Sequence, residues 1–297
     1  MRRALPVCLS ALLLASALGS TSADGAASVV VGSTGPGTPF ACSAPASGYL
    51  LTPLTSATAS YTVPGAGVLT SVSYAAVPSG QFRVVLFGPG DTPTRRTVRA
   101  YTDVLTAAAN TVTTVPVRIP VAPGTTIGLW LAPGAGMRCG TQTGNSADAF
   151  SGRTADPTAT AAFDTAQGGS TFSVSTIPVS AVWEPDTDGD GYGDTSGDLC
   201  PQSAAYTSAC PTPDTTLTKA PRLISTKRKA KVAFGSTIPG STFTCAVDKK
   251  PAKPCASPLR QRYGYGRHTL RITAISPLGV ADPAPLEVRF KIRKKKR

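Results

Sequence analysis

One histidine, two methionines and two tryptophans are all that this 297-residue chain holds of those types. The lone imidazole, His268, excludes most proton-shuttling chemistry elsewhere in the chain. No Ser-His-Asp or Cys-His arrangement can be assembled within residues 28–183, which contain no histidine. His268 itself opens a strand-like run and reads as a structural or surface residue. No Cys-x-x-Cys pair occurs and the single histidine stands apart, which excludes a zinc site of the usual donor spacing. Charged residues make up only 15% of the chain and aromatics 6%. Long helices laced with paired charges cannot be built from that composition. Without a helix, no Gly-rich loop leads into one to cradle a phosphate.

Glycine (29) and proline (27) are plentiful instead, and Thr, Ser, Val and Ala fill much of the remainder. Short strands broken by many turns follow from such a mixture, so the expected class is all-β. The expected architecture is two β-sandwich domains joined by an acidic loop.

One apolar run, Ala4 to Leu18 behind Met1-Arg2-Arg3, reads as a secretory signal with cleavage within residues 23–27. Residues 1–27 are therefore expected to be a signal peptide, since the run is short for a span of about 20 residues. No later stretch is apolar enough to cross a membrane. The expected location is extracellular, in association with the cell surface.

Setting Cys8 aside leaves six cysteines, an even number that suits disulfides in an exported protein. Six cysteines allow 15 connectivities. Pairing of neighbours is the economical choice: Cys42 with Cys139, Cys200 with Cys210, and Cys245 with Cys255.

Residues 28–183 are expected to form the first sandwich. Val68–Tyr74, Gln81–Phe87, Thr97–Leu105, Thr111–Ile119, Thr126–Leu131 and Phe172–Trp183 read as its strands. The run after Arg83 is apolar at every position, as in a central strand covered on both faces. Gly144 to Gly169 is polar and reads as a long surface loop. In residues 212–293, Ala230, Val232 and Phe234 alternate with Lys229 and Lys231. Leu270, Ile272 and Ala274 do the same, as do Leu286, Val288, Phe290 and Ile292. A period of two with one apolar face marks half-buried antiparallel strands.

Between these parts, residues 184–211 hold six acids, Glu184, Asp186, Asp188, Asp190, Asp194 and Asp198, and no Lys or Arg. Aspartates at every second position set several carboxylates on one concave loop, where hard oxygens can surround Ca²⁺. Without a cation those charges repel one another. Gly191 follows the third aspartate, where the chain must turn, and the Tyr192 carbonyl comes next in ligand order. The start matches an EF-hand loop, but Gly197 occupies the twelfth position and no amphipathic helices flank it. The expected metal ligands are Asp186, Asp188, Asp190, Tyr192, Asp194 and Asp198. Asp186–Asp190, Gly191, Gly193, Asp194 and Asp198-Leu199-Cys200-Pro201 together resemble a thrombospondin type 3 calcium repeat. The pieces Pro213–Thr216, Gly240–Cys245, Pro254–Pro258, Gly266–Leu270 and Ala281–Pro283 resemble a bacterial immunoglobulin-like module. These resemblances imply a calcium-binding connector followed by a second sandwich in a secreted multidomain protein.

Charge is unevenly placed. Residues 28–183 carry seven basic and five acidic groups, residues 184–211 a net −6, and residues 212–297 a net +16. Such a basic field attracts polyanions within a Debye length of about 8–10 Å. An anionic surface polymer is thus the expected partner of the C-terminal part and its basic tail, residues 294–297. A carbohydrate or protein is the expected ligand of the N-terminal part. No base-reading motif occurs, so no specific nucleic acid is expected. The overall expectation is a non-enzymatic, calcium-binding modular protein with an adhesive or structural role. The alternative is a hydrolase of extracellular polysaccharide using a carboxylate pair drawn from Asp91, Asp103, Asp148, Asp156 and Asp164. These five read as ordinary surface aspartates near turns.

Overall fold

The computed structural model describes residues 27–35, 37–77 and 79–295. The expected signal peptide and the last two residues of the basic tail, Lys296 and Arg297, lie outside the described residues, save Ala27. Among the described residues there is no helix, and the chain is all-β.

Fifteen strands lie between residues 29 and 185. They are β1 (Val29–Gly32), β2 (Thr38–Ala44), β3 (Tyr49–Thr55), β4 (Gly67–Ala76), β5 (Gly80–Pro89), β6 (Arg95–Tyr101), β7 (Leu105–Ala107) and β8 (Thr111–Val121). Then come β9 (Thr126–Leu131), β10 (Gly134–Gln142), β11 (Ala149–Thr154), β12 (Ala162–Asp164), β13 (Ser170–Ser173), β14 (Ser175–Thr176) and β15 (Val179–Pro185). One sheet runs β1-β15-β4-β8, and a larger one runs β12-β6-β5-β9-β3-β11-β13 with β7 also paired to β5. A third, β14-β10-β2, is cross-linked by the Cys42–Cys139 disulfide between β2 and β10.

The main core forms where the inner faces of the first two sheets meet. Leu69, Val72 and Tyr74 on β4 pack there with Phe82, Val84 and Leu86 on β5 and Leu129 on β9. The opposite face of β5 is buried as well, because Val85 and Phe87 join Leu50, Trp130 and Phe163 in a second cluster. The doubly apolar run thus sits inside the large sheet, as its sequence implies. Two expected strands are broken instead. Residues 102–104 separate β6 from β7, and Thr102 turns its hydroxyl to accept from the Val84 amide (3.1 Å). The run to Trp183 is cut into three pieces, with Val174 at φ +58° where β13 gives way to β14.

The segment 144–169 is not a long surface loop. It contains β11 and β12, and β11 lies between β3 and β13 with Phe150 fully buried. The Phe150 ring stacks on Phe172 (centroids 4.7 Å apart). Asp148, just before β11, is wholly buried rather than a surface residue. Its Oδ1 accepts from the Ala57 amide (2.8 Å) and Ser56 hydroxyl (3.0 Å), and its Oδ2 from Thr143 (2.6 Å) and Thr58 (3.1 Å) hydroxyls. Burial pushes this carboxyl up, but those hydrogen bonds outweigh it and hold it below the usual range.

Eight further strands follow: β16 (Thr215–Lys219), β17 (Ile224–Ser225), β18 (Lys229–Ser236), β19 (Thr242–Val247), β20 (Lys253–Cys255), β21 (Leu259–Arg262), β22 (Gly266–Ile275) and β23 (Leu286–Ile292). They form a sheet β16-β18-β21 and a sheet β17-β23-β22-β19-β20. The alternating residues turn inward as expected: Val232 and Phe234 pack against Leu270, Ile272, Val288, Phe290 and Ile292. Cys245–Cys255 staples β19 to β20. His268 is structural here, with Nδ1 3.0 Å from Asp248 Oδ2 and Nε2 3.1 Å from the Gly264 carbonyl oxygen.

Candidate metal centre

The acidic stretch leaves the end of β15 and is stitched back onto the sheet it came from. Glu184, buried on β15, accepts from the Thr195 amide (3.2 Å), the Ser196 amide (2.9 Å) and the Ser196 hydroxyl (2.8 Å). Thr70 on β4 adds a longer contact to the same carboxylate (3.4 Å). The Asp194 amide donates to the Pro185 carbonyl (2.9 Å), and the Arg118 guanidinium on β8 lies over the Tyr192 ring (4.2 Å to the centroid). Three strands of one sheet, β15, β4 and β8, therefore fix the loop's position. Further on, Cys200–Cys210 closes the turn, and the Leu199 amide donates to Thr207 (3.1 Å).

Within that frame the chain folds around its own carboxylates. Asp186 Oδ1 accepts from the amides of Gly189 (2.8 Å) and Asp190 (3.1 Å), and its Oδ2 from Gly191 (3.0 Å). Asp188 Oδ1 accepts from the Asp190 amide (3.2 Å), and Asp190 Oδ1 from the Tyr192 amide (2.8 Å). Gly191 takes φ +86°, a left-handed turn that a side chain would strain, as its place after the third aspartate implies. Gly193 needs its small size for another reason, because a Cβ there would run into the Glu184 carboxylate.

One carboxylate oxygen of each of Asp186, Asp188 and Asp190 can be chosen so that all three lie within 4.8 Å of one another. Asp188 Oδ2, Asp190 Oδ2 and Asp198 Oδ2 are buried without a hydrogen-bond partner. Buried polar oxygens are nearly always satisfied, and an anionic one left bare is costly. Asp198 is itself buried, with Oδ1 accepting from the Cys200 amide (2.7 Å). Burial raises the Asp188 carboxyl above its usual range, and the charges of Asp190, Asp198 and Asp186 push it the same way. A hard divalent cation bound to these oxygens would satisfy the bare lone pairs and cancel the repulsion. The donor set is all oxygen, which suits Ca²⁺, Mg²⁺ or Mn²⁺ and not a thiophilic metal.

Of the six expected ligands, Asp186, Asp188 and Asp190 converge. Asp198 is close enough for its charge to act on Asp188. Asp194 faces elsewhere, its Oδ1 accepting from the Thr187 amide (3.1 Å) and its Oδ2 from the Thr187 hydroxyl (2.5 Å). Tyr192 contributes its amide to Asp190 and its ring to Arg118. Glu184 reads in the sequence as one more acid of the cluster, whereas its role is to hold the loop. The strand alternation that buries Trp183 and Tyr74 carries no signal of that.

Four of the five candidate hydrolytic aspartates are locally engaged, Asp148 by the buried hydrogen bonds described above. Asp91 faces Arg95 (3.5 Å), Asp156 Oδ1 accepts from the Thr158 amide (2.8 Å), and Asp164 Oδ1 from the Ala166 amide (2.9 Å). Among the described residues, no helix is long and apolar enough to cross a membrane. The three disulfides, paired between neighbours as expected, fit an oxidising compartment. No protein-family model matches the chain, and no curated protein matches it.

Proposed function

We propose that this is a calcium-binding modular protein of the cell exterior, in which residues 184–211 form a calcium-stiffened connector between two β-sandwich domains, 28–183 and 212–293. Three buried carboxylate oxygens without partners, on Asp188, Asp190 and Asp198, carry the reading. On this proposal Asp186, Asp188 and Asp190 supply side-chain oxygens and Tyr192 its carbonyl. Asp198 Oδ2 closes the shell, while Asp194, turned to Thr187, steadies the loop without reaching the ion. Calcium is preferred to magnesium because a loop of many flexible oxygens does not enforce the strict octahedron that the smaller ion demands. Sites of extracellular modules bind at about 10⁻⁴–10⁻³ M, which suffices where calcium is abundant.

The connector is then a thrombospondin type 3-like repeat, and the part after it an immunoglobulin-like module. The role is adhesive or structural. The first sandwich presents a ligand-binding surface for carbohydrate or protein, and the basic module engages an anionic polymer. Because Glu184 ties the loop to β15, the metal also braces the end of that inner strand of the first sandwich. Limited proteolysis of the full chain tests this directly. Cleavage within 186–211 should be suppressed by millimolar calcium and restored by a chelator, and equal cleavage under both conditions would refute the stiffened connector.

A further inference from the structure

The strand register of β18 and β21 places like charges directly opposite one another. Lys229 pairs with Arg262 and Lys231 with Arg260, in an antiparallel ladder whose intervening pair is Ala230 with Gln261. Residues two apart on a strand share a face, and so do residues directly opposed across a ladder. All four cations therefore stand on one face of this two-strand patch. Ala230, Val232 and Leu259 turn the other way, into the core.

The four side chains are exposed, and among the described residues none joins an ion pair. The neighbouring sheet makes the contrast. There Glu287 neutralises both Arg271 (2.6 Å) and Arg289 (2.8 Å), and Asp248 is taken by His268. Beside the β18–β21 patch, Arg222 and Lys227 flank a hollow that also reaches Lys229 and Lys231. Opposed like charges about 4.5–5.5 Å apart at Cβ work against the fold, so the arrangement is not explained by stability. It is explained by a ligand that brings the missing negative charge.

We propose that the outer face of β18 and β21, with Arg222 and Lys227 at its margin, docks a linear polysaccharide carrying sulfate or phosphate esters. This rests on, and sharpens, the reading of the basic module as polyanion-binding. Cations about 6.7 Å apart along each strand and about 4.8 Å apart across the ladder form a regular grid. A grid suits repeating charges better than a single small anion. Two of its members are arginines, whose planar forks take tetrahedral oxyanions two oxygens at a time. None of the four positions is aromatic, and exposed Tyr265 just beyond them already meets Arg228 (5.1 Å) and Lys294 (5.9 Å), so the patch itself offers no row of rings on which successive nucleobases would stack.

The test uses the full exported chain with a dextran sulfate fragment, uncharged dextran, and a thymidine oligonucleotide of equal charge. One variant replaces Lys229, Lys231, Arg260 and Arg262 with Gln, and a milder one is Lys231→Gln with Arg260→Gln. A charge-matched control replaces Lys249, Lys250, Lys253 and Arg267 with Gln. Affinity for dextran sulfate should fall at least tenfold in the first variant, and the slope of log affinity against log salt should flatten by roughly 3. The control should retain most of both. Without polymer, the milder variant should melt no lower than the parent, since it removes an opposed like-charge pair.

Equal losses in the control and the face variant would overturn the assignment to this face while leaving polyanion binding intact. No binding of dextran sulfate by the parent would overturn both. Tighter binding of the oligonucleotide would identify a nucleic-acid surface and refute the polysaccharide. A doubled mass in light scattering at low salt, lost in the face variant, would mean that a second copy's acidic loop occupies the patch, and would refute it too.

Discussion

Glu184 and Ser196, twelve residues apart, are joined twice: the Ser196 amide donates to Glu184 Oε2 at 2.9 Å and the Ser196 hydroxyl to Oε1 at 2.8 Å. This buried carboxylate is a strand residue and a loop anchor at once. It makes the fold of the first fifteen strands and the shape of the acidic loop depend on one another.

Replacing it should therefore be felt in both places. Glu184→Ala leaves two loop amides without their acceptor and should destabilise the sheets of residues 29–185 by about 2–4 kcal/mol, read from urea unfolding. Calcium affinity should fall about tenfold or more, as when an outer partner that orients metal ligands is lost. Glu184→Gln, which keeps an acceptor oxygen, should lose less of each.

Asp148 sets a pH dependence whose sign follows from its environment. Its folded-state carboxyl sits below the usual range, so the unfolded chain binds its proton more readily. The stabilisation it provides is fully present above the unfolded value near 3.9 and is lost as pH falls through the lower, folded value. Asp148→Asn should cost about 2–3 kcal/mol at pH 7. The difference between the variant and the parent should shrink as pH drops below about 4 in parallel denaturant titrations.

The disulfides should differ in worth according to the loops they close. Cys42–Cys139 spans a separation of 97 residues, whereas Cys245–Cys255 spans 10. On the chain-entropy model, removing the first as a double Cys→Ser variant should cost about 5 kcal/mol and the second about 3. Guanidinium midpoints of the two variants give the comparison.

Phe150→Ala should prove as costly as a loss from an obvious core strand, about 3–5 kcal/mol. Its ring is fully buried and stacked on Phe172. A loss under 1 kcal/mol, measured by urea unfolding, would place residues 149–154 outside the packed sheet.

That strand also shows where sequence reading runs out. The strands β18, β22 and β23 are legible because large apolar residues alternate with Lys, Arg and Thr. The strand β5 is legible because it is apolar on both sides. In β11, by contrast, the buried positions on its two faces include Ser151 and Gly152 as well as Phe150. A Cβ at Gly152 would meet the Tyr49 ring, so what is buried there is the absence of a side chain. Hydrophobic periodicity does not register such a face. Asp148 is invisible for a related reason: its partners Ser56, Thr58 and Thr143 lie on two other segments. At the acidic loop, spacing alone brings out Asp186, Asp188 and Asp190. The turn of Asp194 toward Thr187 and the anchoring by Glu184 depend on tertiary placement that no spacing encodes.

Calorimetric titration of calcium into the full chain addresses the central claim most directly. The account predicts one site per chain at about 10⁻³ M or tighter, little competition from equimolar magnesium, and loss of the signal in the Asp188→Asn, Asp190→Asn double variant. That variant should leave the rest of the β-structure folded by circular dichroism. No binding at millimolar calcium, or binding of equal strength in the double variant, would contradict it.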